Sequence, residues 1–289
     1  FIAELDHPRF KEFDLHTLRT GIMAGSPCPV EVMKRVQADM HMGEVTIAYG
    51  MTETSPVSCQ SSTDTPLDKR VSTVGLVQPH LEVKIVNPDT GATVPRGERG
   101  EFCTKGYSVM HGYWGDDAKT REAIDADGWM HTGDLATMDA EGYVNIVGRV
   151  KDMVIRGGEN VYPAEVEAAL AELPEVAEAA VIGVDDKLKG QVPLGLVVLK
   201  KGVTITDEEL HKQLIALVRQ EIGPVASFRL VSAIQKLPKT RSGKILRGTM
   251  RKIADNQQYT APATIEDPQT LDLVRTTLTR MGYADALVG

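Results

Sequence analysis

The sequence predicts a mixed fold in which an α/β segment and a β-rich segment are followed by a smaller α+β domain. Three observations predict it. An amphipathic helical pattern precedes a short apolar strand near residue 45, which is the rhythm of an α/β layer. Between residues 71 and 147, short alternating apolar and polar runs are separated by turn sequences. After Gly148, helical and strand patterns follow each other in α+β order.

The elements of the first 148 residues are read in chain order. Residues 28–36 have helical spacing of apolar residues with Pro29 in the first turn, where its missing N–H costs little. Residues 45–49 predict a buried strand that completes an α/β segment over residues 1–70. The strand pattern at 81–86, flanked by turn sequences, predicts a small barrel or sandwich over residues 71–148.

The rest of the chain divides into a domain over residues 149–262 and a tail over 263–289. Thr206 and Glu209 form a capping-box pattern at the start of one helix, and Asp267 and Pro268 mark the start of another in the tail. The remaining predicted elements are helix 164–173, stopped by Pro174, helix 206–222, and strands 179–184, 194–199 and 228–234.

Composition narrows the classes of function. The apolar fraction of 42% and charged fraction of 25% are those of a globular protein, and the net charge of −8 argues against a broad nucleic-acid-binding surface. Three widely spaced cysteines do not suggest a disulfide framework and favour a reducing compartment. No apolar run approaches the roughly 18–20 residues of a membrane span. We therefore expect no membrane span and a cytoplasmic protein, or a mitochondrial matrix protein if the source is eukaryotic.

Tyr49-Gly50-Met51-Thr52-Glu53 follows the end of a predicted strand, where open α/β sheets collect ligands. The hydroxyl of Thr52 suits a phosphate, and the carboxylate of Glu53 suits Mg²⁺. The alternative is an ordinary strand-end turn with solvated polar residues. Alone, this motif decides nothing.

Two further turns suit a nucleotide. Gly25, followed by Ser26 and Pro27, lies between a strand and a helix, and a glycine lets the backbone approach a flat ring closely. Asp134, in the sequence His-Thr-Gly-Asp, carries a carboxylate that can accept bonds from both hydroxyls of a ribose. The alternatives are a simple strand-to-helix turn and an ordinary hairpin. The seven histidines show no metal-ligand spacing.

Two basic segments complete the set. The sequence around Arg149 and Lys151 marks the change of composition, so it is a candidate domain boundary and hinge. The loop 238–244 carries three cations and places a glycine before Lys244, whose compact charge suits an attack on a phosphate. The alternatives are a solvated linker and an exposed basic loop.

Together, these motifs in this order resemble the acyl-CoA synthetase and adenylate-forming (AMP-binding) ligase superfamily, from Asp14 to about Ala263. The resemblance implies the end of a large N-terminal adenylate-forming domain with a β-barrel subdomain, followed by a mobile C-terminal α+β domain. By resemblance, each site residue has a role. Gly25, Ser26, Pro27 and Tyr49 would contact the adenine, Thr52 a phosphate and Glu53 the Mg²⁺. Asp134 and Arg149 would contact the ribose, Lys151 would be the hinge, and Gly157 and Gly158 would line the pantetheine channel. Lys244 would catalyse adenylation, and Gly50 and Met51 would line the acyl pocket.

The activity implied is ATP-dependent ligation of a small carboxylic acid to CoA with ATP, Mg²⁺ and coenzyme A, in a chain whose oligomeric state is open. The first half of the family pattern, with its Ser/Thr/Gly-rich phosphate loop, has no counterpart here. We therefore expect the isolated chain to be an inactive fragment of an enzyme. A non-catalytic nucleotide-binding subunit and an adenylating enzyme that loads a carrier protein remain alternatives.

The two halves of the chain point to different acids. The N-terminal half resembles medium-chain and fatty acyl-CoA synthetases, whereas segments 186–193 and 262–268 resemble propionyl-CoA synthetases. Acetate- and propionate-specific members carry a Trp in the slot occupied here by Gly50. A pocket without that indole can bury more of the substrate, at about 0.8 kcal/mol per methylene. The sequence thus favours medium-chain acids over propionate.

Overall fold

The computed structural model describes residues 1–25, 28–157, 159–186 and 190–285. The chain divides into two compact units, Phe1–Val150 and Lys151–Gly289. All three cysteines are free thiols. No helix in the described ranges is long and apolar enough to cross a membrane.

The first unit begins with a four-stranded sheet in chain order, in which only β1 and β2 are parallel. The connection between them is helix α2, whose buried Met33 and Val36 pack with Val45 and Ile47 of β2. The elements are α1 (Ile2–Leu5), β1 (Thr20–Ala24), α2 (Val30–Asp39), β2 (Glu44–Gly50), β3 (Val57–Gln60), α3 (Leu67–Ser72) and β4 (Leu76–Val77). The predicted helix and strand are confirmed, with Pro29 as the N-cap of α2.

The second sheet of this unit is an antiparallel meander. It consists of β5 (Leu81–Val86), β6 (Gly100–Gly106), β7 (Met130–Met138) and β8 (Val144–Arg149), with α4 (Asp117–Ala123) between β6 and β7. The β-hairpin texture read from the sequence is confirmed. Phe102 is fully buried in its core with Ile85 and Ala136. Within the described residues, the hydrogen-bonded path runs from β5 to β8 without closing on itself.

The second unit is built on a five-stranded mixed sheet. Its elements are β9 (Val154–Arg156), β10 (Glu159–Val161), α5 (Pro163–Ala171), β11 (Val176–Asp186), β12 (Gly190–Leu199), α6 (Asp207–Glu221), β13 (Leu230–Ala233), α7 (Arg247–Ala254) and α8 (Gln269–Arg280). The strand order is β10-β9-β12-β11, and β13 pairs in parallel with β12.

Helices cover both faces of this sheet because successive strand residues point to opposite sides. Ile182 packs with Met250 of α7 and Val274 of α8 in one cluster. Val181, the preceding residue, packs with Val166 of α5 in the other, to which α6 also contributes. The predicted start of α6 is confirmed, since the Thr206 hydroxyl accepts a hydrogen bond from the backbone N of Glu209 at 3.2 Å.

Candidate functional site

Asp134 lies at the centre of a polar arrangement in the first unit. It sits on β7 directly opposite Arg149 on β8, and the Arg149 Nε lies 3.0 Å from Asp134 Oδ1. The Tyr49 hydroxyl, at the end of β2, donates to Asp134 Oδ2 at 2.7 Å. The side chain of Asp134 is 11% exposed. Three of the residues predicted to bind a nucleotide are therefore together, on two different sheets.

Tyr49 is held by its ring as well as by its hydroxyl. The ring meets Phe102 edge to face, with centroids 5.2 Å apart and an interplanar angle of 79°. Burial raises the pKa of the Tyr49 phenol above its ordinary value, and the charge of Asp134 raises it further. Tyr49 consequently stays a hydrogen-bond donor to Asp134 throughout the physiological pH range.

Strand β7 is irregular just before Asp134, where its pairing with β6 shifts register. This left-handed bend at Gly133, called the turn before Asp134 below, is fixed by Glu101, a residue that the sequence analysis missed. Glu101 Oε1, on β6, accepts a hydrogen bond from the backbone N of Gly133 at 2.9 Å. Gly133 has a φ of +70°, a left-handed conformation that glycine adopts without strain. The Thr132 hydroxyl donates to the carbonyl O of Phe102 at 2.6 Å. No local sequence signal links Glu101 to this turn, because 32 residues separate Glu101 from Gly133.

Behind that turn, Glu101, Cys103 and His131 form a compact group, here called the Glu-Cys-His cluster. His131 Nδ1 lies 2.9 Å from Glu101 Oε2 and 3.5 Å from Cys103 Sγ. His131 Nε2 lies 3.6 Å from Asp125 Oδ2. Burial, with a smaller contribution from Glu101, raises the pKa of the Cys103 thiol to about 12.

Thr52 and Glu53 lie in a short 3-10 helix, Thr52–Thr54, directly after β2. Thr52 is exposed. The half-buried Glu53 is held at two points, since its Oε1 accepts from the Tyr113 hydroxyl at 2.9 Å and its carbonyl O accepts from the Met110 backbone N at 2.9 Å. A positioned carboxylate that is not fully buried fits Mg²⁺, which prefers oxygen ligands and keeps several waters or phosphate oxygens. The Glu53 carboxylate is therefore a suitable oxygen ligand for Mg²⁺.

Gly50 and Met51 connect β2 to this short helix. A Cβ built on Gly50 would lie 1.6 Å from the carbonyl O of Pro56 and 2.9 Å from the Cα of Val57. The backbone of the following strand thus requires a glycine at position 50, independently of any substrate. The acyl-pocket role of Gly50 and of the half-buried Met51 stays a prediction.

Gly25 directly follows β1 and has a φ of +85°, and a Cβ built on it would meet no atom within 4 Å. The backbone is therefore open here, as the approach of a flat ring requires. Ser26 and Pro27, predicted to line the same adenine contact, lie outside the described residues, as does Gly158 of the predicted pantetheine channel.

In the second unit, Lys244 is presented by a tight turn. The Thr240 backbone N donates to the carbonyl O of Lys244 at 2.9 Å, and the Lys244 backbone N donates to the Thr240 hydroxyl at 3.1 Å. Gly243 allows the turn with a φ of +85°, and the Lys244 side chain is exposed. The sequence predicted a loop here, and the structure adds that the loop is closed by its own backbone.

Ion pairs tie the base of this turn to the body of the unit. Arg247, the first residue of α7, forms a two-pronged pair with Glu167 of α5, at 2.8 Å from Nε and 2.6 Å from Nη2. The Lys239 ammonium pairs with Glu178 on β11. These anchors were missed by the sequence analysis, because each joins residues more than 60 positions apart.

The other two residues predicted to act in domain movement and CoA binding lie near the start of this unit. Lys151 is an exposed residue of the 3-10 helix Val150–Asp152. Gly157 has a φ of +58° just after β9. The structure gives their local conformation, and their roles stay predictions.

Comparison with known proteins assigns the family. Residues 1–114 match the family described as AMP-binding enzyme, and residues 165–244 match the AMP-binding enzyme C-terminal domain. The chain belongs to the AMP-binding enzyme family. Lys244 is the last residue of the second match, whereas Asp134 and Arg149 lie between the two matches.

Two curated relatives of this AMP-binding chain are acyl-CoA ligases by name. The putative acyl-CoA synthetase YngI of Bacillus subtilis (strain 168) is 49% identical over 252 residues, covering 87% of this chain and 45% of the relative. The mitochondrial medium-chain acyl-CoA ligase ACSF2 of Bos taurus is 41% identical over 252 residues, covering 87% and 40%. The chain therefore spans less than half the length of these relatives.

A solved relative supports the same fold. The crystal structure of ATP-bound MatB from Rhodopseudomonas palustris aligns with a TM-score of 0.72 at 33% identity, over 86% of this chain and 48% of MatB. The predicted mixed α/β and α+β class is confirmed by this likeness and by the three sheets described above.

Proposed function

We propose that this protein is an ATP-dependent acyl-CoA ligase that converts a carboxylic acid to an acyl-adenylate and then to an acyl-CoA thioester. The proposal rests on the Asp134 carboxylate, whose two oxygens are bonded to Tyr49 and to Arg149. The names of the curated relatives YngI and ACSF2 support the reaction class.

The Asp134 carboxylate has enough hydrogen-bond acceptor positions to bind a ribose as well. A carboxylate offers about four acceptor positions, and Tyr49 and Arg149 occupy one on each oxygen. The remaining positions can accept bonds from the two ribose hydroxyls, while Arg149 and Tyr49 hold the carboxylate in place. Gly25, Ser26 and Pro27 would lie along the adenine, with Tyr49 on its other side. In this proposal the strands hold the nucleoside through both half-reactions.

Adenylation needs charge stabilisation as the acid attacks the α-phosphate. Thr52 would donate to a phosphate oxygen, and Glu53 would hold Mg²⁺. When bound, Mg²⁺ neutralises phosphate charge and orients the pyrophosphate leaving group. Lys244 would place its ammonium on the reacting oxygens.

Thioester formation needs a different set of groups. Residues 149–262 would act as a mobile domain that rotates about Lys151, with 263–289 as a tail and 1–148 as the nucleotide-binding part. Gly157 and Gly158 would line the pantetheine channel. The order of the steps follows from the chemistry, because AMP becomes the leaving group only after the adenylate has formed.

The proposed acid is of medium chain length. The relative ACSF2 is named a medium-chain ligase. Position 50 carries no indole that would shorten the pocket, although the neighbouring backbone by itself already requires a glycine there. The resemblance of segments 186–193 and 262–268 to propionyl-CoA synthetases favours propionate as a second candidate. Cytoplasm or mitochondrial matrix is the proposed compartment, in line with the mitochondrial relatives.

The test is acid-dependent ATP–pyrophosphate exchange by the polypeptide from the intact gene, with straight-chain acids from acetate to dodecanoate. We expect an optimum at intermediate length, followed by CoA-dependent release of AMP. An optimum at propionate would assign the short-chain reaction. Exchange without CoA-dependent release would favour transfer to a carrier protein. AMP binding without exchange for any acid would refute the ligase proposal and favour a nucleotide-binding subunit.

A further inference from the structure

We propose that Glu101, Cys103 and His131 form a binding site for a borderline-soft divalent metal ion, with Zn²⁺ as the ion of best fit. Thiolate, imidazole and carboxylate are the three ligand types that Zn²⁺ takes in proteins. The ligand atoms of the three side chains all lie within 4.8 Å of one another. The proposal does not depend on the ligase reaction, because none of these residues has a role in it above.

The backbone explains how the three ligands meet. Glu101 and Cys103 are two residues apart on β6, so their side chains emerge on the same face of the sheet. His131, on β7, is the cross-strand partner of Cys103. The sequence analysis found no metal-ligand spacing among the histidines because the ligands come from two strands and only one of them is a histidine.

Two of the three distances between ligand atoms can be compared with those around a tetrahedral ion. With metal–ligand distances of about 2.0–2.3 Å, neighbouring ligand atoms lie about 3.3–3.8 Å apart. His131 Nδ1 and Cys103 Sγ are 3.5 Å apart, which is already in that range. His131 Nδ1 and Glu101 Oε2 are 2.9 Å apart, so the carboxylate must move about 0.5 Å away from the imidazole to admit the ion.

Two of the three ligands are also oriented from behind, as metal ligands in proteins commonly are. Glu101 Oε1, the oxygen that faces away from His131, accepts a hydrogen bond from the Gly133 backbone N at 2.9 Å. The second ring nitrogen of His131 faces Asp125 Oδ2 at 3.6 Å. A carboxylate behind a ligating histidine fixes its tautomer and raises its basicity.

The charges balance when the ion is bound. The thiolate of Cys103 and the carboxylate of Glu101 neutralise a divalent cation, and the thiol proton leaves to solvent. Two further charges of opposite sign lie near the three ligands: Lys84 is the cross-strand partner of Cys103 on β5, and Asp125 faces His131. A water would be the fourth ligand, because His131 is only partly buried. The site therefore places no net charge in a largely buried position.

Metal binding would stiffen the turn before Asp134. The ion would hold Glu101 by Oε2, and Glu101 would hold the Gly133 N–H by Oε1. A competing interpretation needs no metal: Glu101 and His131 form only a hydrogen-bonded pair, and Cys103 is a packing residue. The two interpretations differ in whether the thiol becomes a thiolate when a metal is offered.

The test is titration of the purified chain with Co²⁺, which gives a thiolate-to-metal charge-transfer band and intense visible bands in a tetrahedral thiolate site. We expect one ion per chain, displaced by Zn²⁺. Cys103→Ser should remove the charge-transfer band, while Cys59→Ser, at a second fully buried thiol, should keep it. Asp125→Asn should weaken binding about 10–100-fold.

Two results would overturn the proposal. One is a wild-type chain that develops no charge-transfer band at millimolar Co²⁺, and the other is a band that survives Cys103→Ser. Far-ultraviolet circular dichroism of each variant shows whether the fold is retained. Because serine is close to cysteine in volume, loss of the band in a folded variant reports loss of the ligand. No outcome involves turnover, so the ligase proposal stands or falls separately.

Discussion

The Asp134 arrangement and the Lys244 turn differ in how their side chains are held. Asp134 is nearly buried, sits in register on a strand, and is bonded through both carboxylate oxygens to side chains of the same unit. Lys244 is exposed on a turn that its own backbone closes and that ion pairs anchor at the base. One region buries the reactive side chain among bonded neighbours of its own unit, and the other places it at the surface.

The difference matches what the two regions are proposed to do. A group that holds the nucleoside through both half-reactions benefits from a fixed position. A lysine that acts in one half-reaction must be able to reach the site and to leave it, and Lys244 lies at the surface of its unit on a turn that its own backbone closes. We infer that the rigidity of the first region and the exposure of the second are each required.

The largest expected effect is on Lys244. Lys244→Ala should lower the rate of adenylation about 10³-fold, since an ammonium that stabilises transition-state charge is worth about 4 kcal/mol. Thioester formation from supplied acyl-adenylate should be unchanged. The two half-reactions of the intact-gene polypeptide are measured separately by pyrophosphate exchange and by CoA-dependent AMP release.

The matched control is Arg241→Ala, which removes an exposed cation from the same turn. We expect it to change adenylation less than tenfold. If Lys244→Ala slows both half-reactions equally, the lysine acts through the structure of the loop, and the contrast between the two regions loses its functional meaning.

The second effect is on two glycines, one in each region. Gly50→Ala should destabilise the first unit by about 3 kcal/mol or more, because the added Cβ would overlap the Pro56 carbonyl O at 1.6 Å. In Gly243→Ala the added Cβ would meet no atom within 4 Å. The expected loss of stability is then only the strain of an alanine at a left-handed φ, about 1–2 kcal/mol. The Lys244 turn is thus expected to tolerate the change that the Asp134 region does not.

Urea unfolding of the purified chain separates the two variants. Both tryptophans, Trp114 and Trp129, are in the first unit, so fluorescence reports that unit alone, while circular dichroism reports both. Gly50→Ala should shift the fluorescence transition, and Gly243→Ala should leave it in place. An unshifted fluorescence transition in Gly50→Ala would show that the segment at Pro56 can yield, and would reopen the pocket as the reason for the glycine.

The sequence predicted what local patterns specify. Thr206 caps α6 because a hydroxyl three residues before an amide is a local arrangement. Strand β5 has the bounds read from its alternating residues. The nucleotide residues were identified because each belongs to a motif, and the structure brings Tyr49, Asp134 and Arg149 together.

Long-range contacts could not be predicted. Glu101 belongs to no sequence motif, yet it supports the turn before Asp134. The sequence analysis assigned no role to Arg70 either. It is buried and donates to four carbonyl oxygens, those of Gly43, Val45, Thr63 and Thr65, at 2.7–3.0 Å. Such contacts depend on which segments the tertiary fold brings together, and local sequence patterns do not determine this.

A smaller effect is expected from Asp134→Asn. The variant keeps the shape of the side chain and loses its charge, so it weakens the bonds to Arg149 and to the ribose by about 1.5–3 kcal/mol. We expect the KM for ATP to rise about 10–100-fold, with a smaller change in kcat. Asp127→Asn, on the exposed turn before β7, is the control and should leave KM unchanged. An unchanged affinity for ATP in Asp134→Asn would mean that the carboxylate holds only Tyr49 and Arg149.

The smallest effect is that of Tyr49→Phe, which removes one hydrogen bond to Asp134 and should cost about 1 kcal/mol at pH 8. The pKa of the Tyr49 phenol is raised in the folded chain by burial and by Asp134, whereas an unfolded tyrosine titrates near 10. Above about pH 10 the unfolded state loses a proton that the folded state keeps, so wild-type stability falls by up to about 1.4 kcal/mol per pH unit.

The phenylalanine variant lacks this part of the pH dependence, and all other titrating groups cancel in the comparison. The wild-type advantage measured by urea unfolding should therefore be constant up to about pH 10 and disappear near pH 11. An advantage that persists at pH 11 would mean that Tyr49 ionises as readily in the folded chain as in the unfolded one. The Asp134 arrangement would then be as open to solvent as the Lys244 turn, and the two regions would no longer differ in burial.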